Sequence, residues 1–428
     1  MQYALFWFRR DLRINDNHGL FKALTSGFKI IPLFIFDDYL FEQFSANNRK
    51  LNYIYDTLKQ IHHKLNHKLL VVKGNPVKVI EEVILKYDIK SFYYNEDYEP
   101  YATKVDNELK KLFKKNNIPV YSFKDHVIFQ KDEILNKKAK PYTIFTQYKK
   151  EWLKKINNID LTTYKSENYI HNLADYTFPL PKKEELQIIN NSYTIKPFKP
   201  ENIVDYEKYR DFPYIDRTTN ASVFLRYGVL SIRNLVKMAI EKNINYLNEL
   251  IWREFFIQIM YHFPESINEN FKKKFNQLQW QNNEYYWKCW TEGKTGFPLI
   301  DAGIRELLET GYMHNRIRML VASFLSKILL IDWRWGESFF AQHLIDYDVS
   351  LNVGNWQWAA GTGCDSAPYF RIFNPTLQQK KFDPNFIYIK KWIKDFEIYI
   401  KTIKPIVNFD SARKMAIQNY YKLINNPY

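Results

Sequence analysis

The chain has 428 residues, 46% hydrophobic and 25% charged, proportions that exclude a disordered or collagen-like chain. Net charge is +15, from 62 Lys and Arg against 47 Asp and Glu, and 18% of the residues are aromatic. The longest clean apolar run, Ile30 to Phe36, falls far short of the roughly 18 residues a membrane span needs, so no span is expected.

Up to about residue 125 the chain alternates between two periods. Short apolar runs at Ala4–Phe8, Ile30–Phe36, Leu69–Val72, Ser91–Tyr94 and Val120–Phe123 predict buried parallel strands. Amphipathic stretches separate them, as in Arg49–His67 with apolar Leu51, Ile54, Tyr55, Leu58, Ile61 and Leu65. Asp16 and Gly74-Asn75-Pro76 supply start signals for two intervening helices. This predicts a doubly wound α/β domain over 1–130. From about Asn157 to Pro200 periodicity is lost and Pro179, Pro181, Pro197 and Pro200 accumulate, so 131–200 is expected to be an interdomain connector. Beyond Glu201 helical periodicity dominates, as in Asn245–Met260, Ile300–Thr310 and Asn315–Leu330. An all-helical domain is expected over 201–428.

Several chemistries are disfavoured. No G-x-G-x-x-G follows the first strand, where Arg9-Arg10-Asp11 stand instead. Gly293-Lys294-Thr295 mimics the end of a phosphate-binding loop, but Lys288 occupies the place of its first glycine. His63 and His67, four apart with no third ligand nearby in sequence, read as a solvated helix face, and no metal is expected. Cys289 and Cys364 are the only cysteines, which forbids a disulfide framework and fits a reducing cytoplasm. The N-terminus offers no signal-peptide cleavage site. The positive charge invites nucleic acid, but most of the excess lies in the first 200 residues, so it locates no binding face.

The densest signal is Asn352 to Pro375, N-V-G-N-W-Q-W-A-A-G-T-G-C-D-S-A-P-Y-F-R-I-F-N-P. Upstream lie Asp346-Tyr347-Asp348 and Asp332-Trp333-Arg334-Trp335. A tryptophan-rich helical core accounts for one such cluster. It does not account for Trp252-Arg253-Glu254, Asn315-Arg316-Ile317-Arg318-Met319 and the hydroxyl run Thr218–Ser222 in the same half.

With these residues the chain resembles the photolyase/cryptochrome family, most closely the microbial class I cyclobutane pyrimidine dimer photolyases. The resemblance runs from F-W-F-R-R-D-L-R-I-N-D-N to F-N-P-T-L-Q-Q-K-K-F-D. Its strongest pieces are L-N-E-L-I-W-R-E-F-F (247–256), W-T-E-G-K-T-G-F-P-L-I-D-A (290–302), M-H-N-R-I-R-M (313–319) and N-W-Q-W-A-A-G-T-G (355–363). It implies an α/β antenna domain, FAD in the helical domain, active as FADH⁻, and light-driven splitting of pyrimidine dimers in DNA by a monomeric, cytoplasmic enzyme.

The resemblance also assigns residues. Tyr206, Thr218, Thr219, Asn220, Ala221, Ser222 and Tyr246 are expected to contact FAD; Tyr246 replaces a tryptophan of some relatives. Hydroxyls and backbone N–H groups at a helix start can hold a pyrophosphate without a glycine loop. Asp346, Tyr347 and Asp348 are expected at the isoalloxazine and ribose, Arg318 beside Asp346, and Asn352 opposite flavin N5. In the lesion cavity, Trp252 and Trp358 resemble the aromatic walls and Glu249 the acid that bonds a thymine carbonyl, with Asn315 and Met319 lining the same space. Glu249, Trp252 and Arg253 fall at i, i+3 and i+4 on one helix face. Arg210, Arg316 and Gln378 match DNA-strand contacts, with Arg253 and Asn315 also on the DNA side. Trp356, Trp333 and Trp280 match an electron-transfer chain. Folate-binding relatives carry Asn-Glu where this chain has Tyr101-Ala102. An antenna of deazaflavin or flavin type, or none, is therefore expected in place of methenyltetrahydrofolate. The rival implied by the same fold is a cryptochrome photoreceptor without repair. Repair of (6-4) photoproducts, which needs cavity histidines, is disfavoured, as is a nucleotide-binding electron-transfer flavoprotein.

Overall fold

In a computed structural model the described residues are 2–45, 48–159 and 161–425. They form two compact units, one of residues 1–140, 150–198 and 220–254, the other of 141–149, 199–219 and 255–428.

The first unit is built on a parallel sheet of β1 (Tyr3–Phe8), β2 (Lys29–Asp37), β3 (Leu70–Gly74), β4 (Ile89–Asn95) and β5 (Val120–Phe123), in the order β3-β2-β1-β4-β5. All five expected strands are present. Helices cover both faces, which is why β1 is apolar without alternation. Pro32 sits inside β2 at no cost to the ladder. It pairs with Phe6 of β1, and β3 joins β2 only from Leu33 onward, so Pro32 occupies a locally open edge. The helix Pro76–Tyr87 starts as its sequence directs, with Asn75 as cap and Pro76 in the first turn. The start of His18–Leu24 differs from expectation, because the cap is Asn17, which accepts from Leu20 N–H. Asp16 instead takes a positive φ of 52° and pairs with Arg233 at 3.0 Å.

The strand order reverses between β1 and β4, the point where a doubly wound sheet opens a ligand crevice. Here side chains fill it. Arg9 donates to Asp106 (2.7 Å) and to the Asn95 carbonyl (2.7 Å), and Asn95 donates to Asp11 (2.6 Å). The Arg9-Arg10-Asp11 run that replaces a glycine loop is thus an ion-pair plug. Deeper in the unit, burial would raise the Asp125 carboxyl, but Arg13 (2.7 Å) and Arg233 (2.9 Å) hold it well below the usual carboxylate range.

The second unit packs the helices Pro298–Thr310, Asn315–Ser323, Trp333–His343 and Val349–Ala360 around the buried Trp290, Trp333 and Trp356. Asp348 caps Val349–Ala360 by accepting from Leu351 N–H (3.2 Å), and Gly361 ends it in the left-handed conformation. The helix expected over Asn315–Leu330 holds α geometry only to Ser323 and then widens into a π turn, Phe324–Ile328. That turn carries Lys327, which is fully buried and donates to the Arg371 carbonyl (3.1 Å).

Burial, with Arg371 nearby, lowers the Lys327 pKa to about 7 from 10.5. Above pH 7 the folded state sheds a proton that the unfolded state keeps. Stability should therefore rise between pH 7 and 9, by at most about 1.4 kcal/mol per pH unit from this group. Above pH 9 the rise levels off, because burial pushes the Cys364 thiol up to about 12 from 9.0, and the proton that only the unfolded state loses there offsets the one it keeps on Lys327. Denaturant midpoints at pH 7 and 9 should diverge in the wild type and converge in Lys327→Met. An equal divergence in the variant would remove Lys327 from this account.

Candidate functional site

Most expected flavin residues of the second unit fall into one connected network. Arg318, on the helix Asn315–Ser323, donates to both Asp346 oxygens (3.1 and 2.8 Å) and to the Met313 carbonyl (2.7 Å). Burial works against its charge, but Asp346 more than offsets this and raises the Arg318 pKa above the ordinary guanidinium value. The guanidinium lies over the Tyr312 ring (5.5 Å), and the Tyr312 hydroxyl, pushed up to about 12 by burial, bonds to Thr218. Thr218 also accepts from Asn202 through its carbonyl (2.9 Å), and Thr219 from Lys199 N–H (2.9 Å).

Asn352 stands one turn into the helix that Asp348 caps, and its N–H donates to the Asp348 carbonyl (2.8 Å). Its Nδ2 donates to the Glu337 carbonyl (3.1 Å) and to Glu337 Oε1 (2.9 Å). A carbonyl only accepts, so the NH₂ must face Glu337, which leaves Oδ1 as the acceptor of this side chain. Tyr347 donates to the same carboxylate (3.2 Å). Glu337 thus fixes two expected site residues. Sequence reading missed it, although it directly follows Trp333-Arg334-Trp335-Gly336.

A second group in this unit is cationic and half-open. Arg316 donates to Asp211 (2.5 Å) and lies over Phe382 (4.5 Å), while Arg210 Nε is 3.9 Å from Asp211 and its guanidinium covers Tyr206 (4.8 Å). Asp211, also unanticipated, gathers both arginines. Gln378 shares a helix with Phe382 and lies one turn before it, on the face that Arg316 covers. Asn315 is exposed, and Met319, one turn on, and Trp358 are half-buried.

The tryptophans Trp356 (2% exposed) and Trp333 (0%) belong to one apolar cluster, against which half-buried Trp280 packs. Trp333 donates Nε1 to Asn270 (2.8 Å). Gly336 lets Trp356 approach closely, since a Cβ there would lie 2.1 Å from its ring. A further row was not anticipated. Trp356 meets Trp290 at 6.3 Å between centroids, Trp290 stacks on Trp287 at 5.5 Å, and Trp287 meets Trp335 at 5.5 Å.

The remaining expected residues belong to the first unit. Glu249 and Trp252 are half-buried on the helix Ile244–His262, and Tyr246 is buried. Arg253 is buried too and donates to the His126 carbonyl (2.6 Å), so its guanidinium braces the fold. Asn220 takes the left-handed conformation before the helix Ala221–Arg226 and donates to the Pro197 carbonyl (3.1 Å). Ala221 is buried and Ser222 exposed. At the end of β2, Tyr101 donates to Asp37 (2.7 Å) and stacks on Tyr39 at 3.9 Å.

Comparison with known proteins gives this arrangement a context. Residues 4–166 match the family model described as DNA photolyase, and residues 246–405 that of the FAD binding domain of DNA photolyase. The chain is 33% identical, over 97% of its length and 96% of the relative's, to the deoxyribodipyrimidine photo-lyase of Buchnera aphidicola subsp. Acyrthosiphon pisum. A crystal structure of an archaeal photolyase from Sulfolobus tokodaii, with two FAD molecules, is 31% identical, with a TM-score of 0.84 over 98% of this chain and 100% of that one. The cryptochrome of Synechocystis sp. PCC6803 is 25% identical, with a TM-score of 0.85 over 98% and 99%. The residues present fit a flavin, with a half-buried guanidinium paired to a buried carboxylate, an amide whose NH₂ is held by Glu337, and hydroxyls at Thr218 and Tyr312. Among the described residues no helix is long and apolar enough to cross a membrane. By its relatives, its matched domains and its fold, the chain belongs to the DNA photolyase family.

Proposed function

We propose that the protein is a light-dependent lyase that splits cyclobutane pyrimidine dimers in DNA. The observation that carries this reading is the Arg318–Asp346 and Glu337–Asn352 network, on the same chain as a cationic group at Arg210 and Arg316. A reduced flavin, when bound, supplies a photoexcited one-electron donor, and the electron returns after the ring opens. The chain's own residues do the rest. Arg318 supplies a cation toward the flavin whose charge Asp346 limits, and Asn352 Oδ1 accepts a hydrogen bond, favouring a protonated N5. Trp252, Trp358, Asn315 and Met319 receive the extruded dimer, and Glu249 bonds its carbonyl. Arg210, Arg316 and Gln378 hold the strand by its phosphates. Arg253, committed to His126, stays outside this DNA-facing set.

We infer that the antenna, where one is bound at all, is of deazaflavin or flavin type in place of a folate. The Tyr39–Tyr101 stack offers a flat aromatic face, and Ala102 lacks the carboxylate that folate-binding relatives carry. The cryptochrome reading shares the fold of its Synechocystis neighbour but gives no use to Glu249, Trp252 and Trp358 together. The two readings separate on binding. At 0.15 M salt the chain should prefer dimer-containing over undamaged strands, and Trp252→Ala should remove roughly 1–3 kcal/mol of that preference, one base–aromatic stack. Equal affinity for both strands would favour the photoreceptor.

A further inference from the structure

The helix Arg49–Lys64 ends in His62-His63-Lys64-Leu65-Asn66-His67, where spacing alone pairs His63 with His67 across a helix face. The chain turns before that face is completed. Leu65 is the cap, and Asn66 and His67 take left-handed conformations with φ of 52° and 61°. His67 N–H donates to the His62 carbonyl (2.9 Å) and Asn66 N–H to the His63 carbonyl (3.0 Å). This is the Schellman ending, which lays the second residue past the cap against the third residue before it, commonly in an apolar contact. Here both residues are histidines, and their Nδ1 atoms stand 3.2 Å apart.

The hydrogen bonds fix the tautomers. His62 is buried, and its Nε2 lies 2.8 Å from the Phe178 carbonyl, which only accepts. Nε2 therefore carries the proton and His62 Nδ1 presents a lone pair, toward which His67 Nδ1–H donates. Phe178 N–H in turn donates to the His67 carbonyl (2.9 Å), so one segment holds both histidines in place. His63, Lys59 and Thr177–Leu180 complete the walls of a surface hollow of about 480 Å³ beside the pair.

We propose that His62 and His67 form a site for a divalent transition metal such as Zn²⁺, with His63 or water in the remaining positions. Two imidazole nitrogens bound to one tetrahedral Zn²⁺ lie about 3.3–3.4 Å apart, given bonds of about 2.0–2.1 Å. The pair already stands near that spacing. His67 must move its proton from Nδ1 to Nε2, and the rings must tilt so that the two nitrogens, now aimed at each other, converge on one metal; neutral rings release no net proton on binding. The bond from His62 Nε2–H to a backbone carbonyl is the outer-shell support that metal-bound imidazoles ordinarily have. Nitrogen donors without a carboxylate select zinc, copper or nickel over magnesium and calcium. Among the described residues no three His, Cys, Asp or Glu side chains are gathered at ligand distance. Two ligands are thus preset and the third is recruited, and Lys59 opposes the added charge, so binding is modest in strength.

Calorimetric titration of the full-length, tag-free protein with ZnCl₂ tests this. One saturable Zn²⁺ per chain is expected. His67→Asn, which keeps a residue at ease with positive φ, should weaken binding at least about tenfold, the scale on which even an outer-shell partner acts. His63→Ala should weaken it less, and His171→Ala should leave it unchanged. An independent readout needs no variant: anomalous scattering from a Zn²⁺-soaked crystal should peak between the two Nδ1 atoms. No saturable uptake, uptake unchanged in His67→Asn, or a peak elsewhere would overturn the proposal.

Discussion

Replacing Trp356 with phenylalanine is expected to abolish light-driven reduction of the oxidised flavin while sparing repair by protein whose flavin is reduced chemically. Trp356 lies one helical turn beyond Asn352, on the same face of Val349–Ala360, so it is the buried indole aligned with the amide proposed to address the flavin. Phenylalanine is too hard to oxidise to serve as a relay. Trp333 shares the apolar cluster of Trp356 and half-buried Trp280 packs against it, while a row of ring contacts runs from Trp356 through Trp290 to Trp287 and Trp335. Trp356 heads that row and lies in the same cluster as Trp333. Trp280→Phe should therefore slow photoreduction without stopping it, whereas Trp356→Phe stops it. Flavin absorbance followed under blue light with a thiol reductant decides the matter. An unchanged rate in Trp356→Phe would mean that electrons enter by another route.

Glu249→Ala is expected to lower the yield of ring splitting several-fold while dimer affinity falls less. An electron added to the dimer places negative charge on a thymine carbonyl, and a proton shared by an aimed carboxyl stabilises that charge where water is scarce. Glu249 is half-buried and lies three residues before Trp252 on one helix, so acid and aromatic wall share a face. Stacking by Trp252 and Trp358 survives the substitution, which is why binding suffers less than chemistry. Glu249→Gln, which keeps a donor, should fall between wild type and Glu249→Ala. An unchanged yield in Glu249→Ala, with flavin fully reduced, would take the residue out of the mechanism.

The five strands were legible because buried parallel strands are continuous apolar runs, and Asn75-Pro76 announced its helix by capping chemistry alone. Asp16 misled because its cap-like identity serves a long-range pair with Arg233, 217 residues away, while its neighbour Asn17 caps the helix. The stretch 220–254 groups with the α/β unit through contacts of the same kind. Gly228 lies so close to the Arg10 backbone that a Cβ would sit 2.2 Å from its carbonyl oxygen, and Arg13 donates to the Gly228 carbonyl (2.9 Å). No local period encodes such contacts. In the site, motif resemblance named the residues proposed to face ligands but missed Glu337 and Asp211, which orient them. Their signal is a buried or shared hydrogen bond, and that appears only once the chain is folded.

The proposed activity of this chain is the light-driven splitting of pyrimidine dimers. It is tested most directly by incubating the protein, with its flavin chemically reduced, with an oligonucleotide holding a single thymine dimer, under blue light and in the dark. Conversion to two thymines is expected in the light, with the protein recovered unchanged over many turnovers and no conversion in the dark. Intact dimer after illumination, with reduced flavin and bound DNA both verified, would contradict it.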